Sequence, residues 1–192
     1  MRQLCTIQKR IALQKMNKFI SVFAIAFTAL LGGSIISACS ENVDDLVIKL
    51  TEAVKNNDNK KAQKYAEKAC NMGSDFGCYH AGGQHELKRD YKKAIIYFEK
   101  GCNMKTFQWS GRACTELGAI YLRGLDVAER DTAKAEDYFE KGCSLNHGYG
   151  CYSAAAKYIL GKTAPVDEAK FREYLQKACN LGEELGCILS DL

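Results

Sequence analysis

Along residues 61–70, small and apolar side chains return every three or four positions, and the same pattern comes back three more times. The copies read KAQKYAEKAC (61–70), KAIIYFEKGC (93–102), KAEDYFEKGC (134–143) and KFREYLQKAC (170–179), with Lys, Tyr, Lys and Cys at constant offsets and steps of 32, 41 and 36 residues. Ala94, Tyr97, Phe98 and Gly101 in the second copy, and Ala135, Tyr138, Phe139 and Gly142 in the third, share one helical face, with Lys and Glu opposite. A second helical stretch follows three of the copies: CYHAGGQHEL, CTELGAIYLRG and CYSAAAKYILG. Three and four positions after its Cys stand mostly small residues (Ala81/Gly82, Leu117/Gly118, Ala154/Ala155), which predict a close helix crossing. The seventh position (His85, Tyr121, Tyr158) predicts an aromatic plug. No stretch beyond residue 40 alternates as a strand does. Repeats of this length, helical throughout, predict an all-α array of αα-hairpins.

The first forty residues are patterned differently. Residues 19–40 carry no charge, residues 19–31 (FISVFAIAFTALL) are nearly all apolar, and a basic stretch ending at Lys18 precedes them. Basic, then apolar, then small is the order of a secretory signal. Ile36-Ser37-Ala38-Cys39 resembles the bacterial lipobox, which predicts a signal peptide over 1–38 and lipid on Cys39 at the start of a mature chain, 39–192. Two other fates suit the same segment: an uncleaved membrane anchor, since about 20 uncharged residues span a bilayer, or plain secretion. Met16-Asn17-Lys18 would make a compact alternative start. The expected location is the bacterial cell envelope, facing the periplasm or the exterior.

Charge then changes the picture. The whole chain is +4, but Arg2, Lys9, Arg10, Lys15 and Lys18 fall in the signal segment, leaving 22 basic against 23 acidic residues from Ser40 onward. A domain of net charge −1 lacks the basic surface that nucleic-acid binding requires.

Ten cysteines in 192 residues point to an oxidising compartment. Without Cys5 and Cys39, eight remain as Cys70/Cys78, Cys102/Cys114, Cys143/Cys151 and Cys179/Cys187. A helix ending in Cys, a short turn holding Gly73 or Gly182, and a new helix beginning near the next Cys bring the two sulfurs together across an αα turn. Four local disulfides are therefore expected. Metal or redox use of these residues would call for C-x-x-C, which is absent.

Cysteines about eight apart, following K-A-x-x-Y-[FY]-x-K-[AG]-C and followed by G-C-x-x-L-G-x-x-Y, resemble the disulfide-rich Sel1-like repeats of the Helicobacter cysteine-rich proteins, relatives of the tetratricopeptides. The motif stands here in Gly101-Cys102, in Cys114-Thr115-Glu116-Leu117-Gly118-Ala119-Ile120-Tyr121 and in Gly150-Cys151. The resemblance spans about residues 42–192. It implies a right-handed α-solenoid with repeats near 42–75, 76–107, 112–148 and 149–182 and a capping helix at 183–192. This chain departs from the pattern in a shortened turn at Lys88-Arg89-Asp90 and in four extra residues between Cys102 and Cys114.

The resemblance also implies penicillin binding and weak β-lactam hydrolysis. The residues themselves do not supply that chemistry: three positions after Ser40, Ser74, Ser110, Ser144 and Ser153 stand Val43, Gly77, Ala113, His147 and Ala156, so no S-x-x-K is formed. Lys162-Thr163-Ala164 is not K-T-G. His80 and His85, five apart, point to different sides of one helix, and neither a metal nor a cofactor is implied. Ser144 and His147 lie within one turn, as a nucleophile and base would, or as partners in a loop hydrogen bond. Trp109, in the inserted TFQWSG, is a ligand platform or the plug of a longer turn. His85, at the plug position, is expected to be partly buried. Stacked hairpins line a groove with their first helices, and the second position after each repeat Cys varies as His80, Glu116 and Ser153. These three are the candidate groove residues. The expected function is an interaction scaffold for a peptide, a protein or a peptidoglycan-derived ligand; the alternative is an enzyme acting on β-lactams.

Overall fold

Every second helix begins the same way. Asp58, Asp90, Asp131 and Asp167 each accept a hydrogen bond from the backbone N–H three residues on, that of Lys61, Lys93, Lys134 and Lys170. A carboxylate there satisfies an orphan N–H and meets the positive end of the helix dipole. In the computed structural model, which describes residues 41–106, 108–125 and 129–191, these caps start α2 (Asn59–Asn71), α4 (Tyr91–Asn103), α6 (Thr132–Ser144) and α8 (Glu168–Asn180). The first helices of the pairs are α1 (Val43–Lys55), α3 (Asp75–Leu87), α5 (Gln108–Arg123), α7 (Gly148–Leu160) and α9 (Glu184–Ser190). There is no strand among the described residues, and the architecture is an all-α solenoid of αα-hairpins. The segment read as a signal, with Cys39, lies outside the described residues.

Helix ends repeat as faithfully as the starts. Three residues after each first cysteine the chain turns left-handed, at Gly73 (φ 88°), Lys105 (φ 56°), Asn146 (φ 59°) and Gly182 (φ 84°). That single residue reverses the chain and returns it to the second cysteine. Cys70–Cys78, Cys102–Cys114, Cys143–Cys151 and Cys179–Cys187 are bonded, with Cα separations of 4.4, 4.8, 4.3 and 4.4 Å. Such closeness demands a missing Cβ nearby. The residues preceding the paired cysteines are Ala69/Gly77, Gly101/Ala113, Gly142/Gly150 and Ala178/Gly186, so each bridge has at least one glycine. A Cβ at Gly77 would meet the Cys70 nitrogen at 2.6 Å.

The core follows the repeat. Ala94 and Phe98 of α4 and Ala135 and Phe139 of α6 are buried, and the rings of Phe98 and Phe139 lie on Gly82 and Gly118, where a Cβ would come within 2.5 and 2.6 Å of them. Outside that core the plug position stacks on the Tyr of the next helix. His85 lies on Tyr97, Tyr121 on Tyr138 and Tyr158 on Tyr174, with centroids 5.3, 5.7 and 5.3 Å apart. His85 is more buried than the sequence suggests, at 3% exposure, because Nε2 lies 2.9 Å from Glu67 Oε1 on α2. A polar partner inside the hairpin lets an imidazole replace tyrosine there.

Most of the inserted residues between Cys102 and Cys114 do not go into the turn. They extend a helix: α5 begins six residues before its cysteine, whereas α3, α7 and α9 begin three before theirs. The extra turn carries Trp109. First helices pack directly on one another along the array, α1 on α3, α3 on α5, α5 on α7 and α7 on α9. The second helices are held mainly by the first helices on either side of them. In stacked hairpins such a row of first helices lines the inner face of the superhelix.

Candidate functional site

The inner face is richest where α3 meets the lengthened end of α5. Phe76, Tyr79 and His80 recur at helical spacing on α3, and Trp109, Arg112 and Glu116 on α5. Trp109 joins the two helices: its ring centroid lies 4.8 Å from Phe76, 5.3 Å from Tyr79 and 5.6 Å from His80. The Arg112 guanidinium stands 5.1 Å from the Trp109 centroid. Aromatic pairs and a cation over an indole are both attractive arrangements, and they hold this patch in one shape. Trp109 is therefore part of a helix-borne aromatic surface rather than the plug of a turn.

Burial sets the protonation of the patch. His80 is pushed below the ordinary imidazole value by burial and then by Arg112. Glu116 is pushed up, by burial and by the nearby Glu86 carboxylate, and Glu86 is itself paired with Arg123 at 2.9 Å. Tyr79 is raised by burial and by Glu116. Of the three candidate groove residues, His80 packs against Trp109, and both His80 and Glu116 feel the Arg112 charge. Ser153, half-buried on α7, enters none of these contacts among the described residues.

The hydroxyl and imidazole that do meet are not the pair the spacing offered. Ser144 Oγ donates to the Lys141 carbonyl, and His147 Nδ1 lies 2.8 Å from Thr115 Oγ1 instead. Thr115 is 2% exposed, and its hydroxyl is also 3.0 Å from the Gly111 carbonyl, four residues back. A threonine has one hydroxyl proton. Donated to Gly111, it leaves the oxygen to accept from His147, the reverse of a base activating a nucleophile. Thr115 also fills the space that Gly142 and Gly150 leave open, since a Cβ on either would meet its Oγ1 at 2.5 or 2.9 Å. Its role is to lock α5, α6 and α7 together. No cluster of metal-ligating side chains occurs among the described residues.

His147 carries a pH signature. Burial, and then Arg112, lower it from 6.5 to about 4, so the folded ring is neutral where the unfolded ring is charged. Between those values the unfolded chain binds more protons, and stability rises with pH. The contribution is complete above pH 6.5 and is lost as pH falls toward about 4. It amounts to about 2 kcal/mol once solvent screening of a half-exposed ring is allowed for. His80, lowered for the same reasons, adds with the same sign. Melting followed from pH 7 to pH 4 should therefore show a steeper loss for the native protein than for His147→Gln; equal slopes would mean that the ring is not held neutral.

Arg112, Phe76, Tyr79 and the Thr115–His147 contact were not singled out in the sequence. Their only linear signal was the i, i+3, i+4 spacing of Phe76, Tyr79 and His80 and the i, i+3, i+7 spacing of Trp109, Arg112 and Glu116. Arg112 moreover stands two before its cysteine, where the other repeats carry Phe76, Tyr149 and Leu185. That break in the apolar pattern marks the site.

The model of the Sel1 repeat matches residues 52–74, 77–105, 111–147 and 149–183. No match was found among curated proteins. Among solved structures, cysteine rich protein B of Helicobacter pylori is 32% identical, with a TM-score of 0.54 over 69% of this chain and 94% of that one. A Sel1 repeat protein from Oxalobacter formigenes, 14% identical, matches in fold with a TM-score of 0.68 over 81% of this chain and 67% of that one. A putative Sel1 repeat protein of Klebsiella pneumoniae is 25% identical, with a TM-score of 0.51 over 80% of this chain and 78% of that one. Sel1 repeat proteins are in general scaffolds for protein interaction. With four matched repeats, four disulfides and helices throughout the described residues, this chain belongs to the Sel1 repeat family.

Proposed function

We propose that the protein is an extracytoplasmic scaffold, tethered to the bacterial envelope by lipid on Cys39, whose row of first helices binds an extended segment of a partner protein or peptide. One observation carries this reading: a preformed aromatic and charged surface, Phe76, Tyr79, His80, Trp109, Arg112 and Glu116, on neighbouring first helices of a disulfide-stapled array. Rigid aromatics offer contact area at small entropic cost, which is what recognition surfaces use. The four bridges fit an oxidising compartment. The tether is assigned to Cys39 because Ile36-Ser37-Ala38-Cys39 resembles the lipobox behind a basic and then apolar segment. The β-lactam reading draws no support from the Thr115 hydroxyl, buried and bonded to Gly111.

Two measurements test this. Selection of peptides from a displayed random library on the disulfide-intact protein should yield binders that Trp109→Ala weakens by about tenfold or more. Fluorescent penicillin should not label the protein, and a chromogenic β-lactam should not be turned over. Labelling lost on a change at the inner face would replace the scaffold by an enzyme.

A further inference from the structure

Resting on the tether at Cys39, we propose that the outer face of α2 and α4 is a docking surface for a bilayer of anionic phospholipid, on which the first two repeats lie.

The domain is close to neutral, but its charge is divided along the chain. Residues 59–105 hold ten basic and five acidic side chains, and residues 106–192 hold ten and thirteen. Packing then sorts the basic half by face. On α2, Lys60, Lys61, Lys64 and Lys68 are exposed within about a third of the helix circumference, opposite the buried Ala62, Ala66 and Ala69. On α4, Lys92, Lys93 and Lys100 take the same positions, opposite Ala94, Phe98 and Gly101. Lys100 Nζ reaches Asn71 Oδ1 at the end of α2, 3.4 Å away, so the two faces are continuous. Of the acids on these hairpins, Asp58 and Asp90 cap the helices and pair with Lys61 and Lys93 at 2.8 and 3.3 Å, and Glu67 is held by His85. Further along the array the pattern changes. Lys60 and Lys92 give way to Ala133 and Ala169, and Lys64 and Ile96 to Asp137 and Glu173. The basic surface therefore ends after the second of these helices.

Apolar side chains narrow the class of polyanion. Ile96, among the lysines of α4, is 45% exposed, and Met72, at the end of α2, is 51% exposed. Aliphatic groups beside lysine stems suit a lipid headgroup layer, where the ammonium meets phosphate and the carbon chain lies toward the acyl boundary. A nucleic acid would be gripped by stacking aromatics, and no exposed residue of α2 or α4 is aromatic. The chain also brings the right end to the membrane. Cys39 stands four residues before Val43, where α1 begins, a reach of no more than about 14 Å. Since α1 packs on α2, lipid on Cys39 would keep the basic end of the array beside the bilayer, where a weak second attachment becomes effective.

The mature chain carrying Cys39→Ser, with its four disulfides intact, is sedimented with vesicles, so that lipid on Cys39 contributes nothing. One set is phosphatidylcholine alone, and the other contains about a third phosphatidylglycerol. Binding should be about tenfold or more stronger on the anionic set. In about 1 M salt, where exposed charges are screened beyond about 3 Å, it should fall to the level of the neutral set. Lys64→Glu with Lys92→Glu should remove the preference, whereas Arg172→Glu with Lys177→Glu, the same change of charge on α8, should leave it. Equal binding to both sets, indifference to salt, an unchanged preference in the Lys64/Lys92 variant or equal loss in the α8 variant would each overturn the docking face. So would a DNA duplex that displaces the protein from anionic vesicles at matched phosphate, which would make the partner a nucleic acid. The mass of the envelope-extracted protein reads the tether separately. An unmodified Cys39 together with intact vesicle preference would remove the tether and support the docking face; an acylated Cys39 without vesicle preference would keep the tether and overturn the face.

Discussion

Replacing Cys143 and Cys151 together by Ser should destabilise the protein by about 3 kcal/mol while leaving the inner face able to bind. The bridge closes a loop of nine residues, and constraining such a loop in the unfolded chain is worth about 2.5 kcal/mol in the chain-entropy model. Two buried polar hydroxyls in place of a cystine packed on Ala178, Tyr152 and Tyr174 raise the cost further. Because each repeat touches only its neighbours, the loss should appear locally, as faster amide exchange in α6 and α7 before α2 and α3. Glu116→Ala should behave oppositely. Removing a half-buried carboxylate that Glu86 repels should leave melting unchanged or higher, while altering the binding of selected peptides. A Cys143/Cys151 variant that melts like the native protein, or a Glu116→Ala protein that melts early and binds normally, would reverse these assignments.

Phe98→Ala should cost more, about 3 to 5 kcal/mol, the range for emptying a buried aromatic site. Phe98 is 1% exposed, and its ring fills the notch left by Gly82, where a Cβ would lie 2.5 Å from it. Gly82→Ala alone should cost about 1 to 3 kcal/mol, since the ring has nowhere to go. Combined, the two changes should cost less than their sum, because the added methyl enters the space the ring vacated. Denaturant unfolding of both single variants and the double variant measures this coupling. Strict additivity would show that ring and glycine do not meet.

The array was legible because the repeat prints its physics four times. The constant Lys, Tyr, Lys and Cys, and the small residues at helical spacing, correspond to one capped and stapled hairpin, and the all-α solenoid follows from them. One signal passed unread: the Asp three residues before each conserved Lys is the cap of every second helix. The turn glycines told half of what they had to tell, since Lys105 and Asn146 take the same left-handed conformation as Gly73 and Gly182. Where the cystine ties both ends of the turn, the cost of a side chain at positive φ, about 1 kcal/mol, can be borne.

What local sequence determined is therefore the repeat itself: which residues are helical, which face is buried, where each hairpin turns. Tertiary structure decided what repeats do to one another. Residues 103–113 suit a longer turn or a longer helix equally well. Only packing on Phe76, Tyr79 and His80 favours the helix that carries Trp109 and Arg112 to the inner face. Thr115 and His147 are 32 residues apart, and their meeting depends on glycines of α6 and α7 admitting a hydroxyl. Helical periodicity encodes contacts three or four residues away, whereas the charge and protonation of the inner face arise from groups that only the superposition of neighbouring repeats brings together.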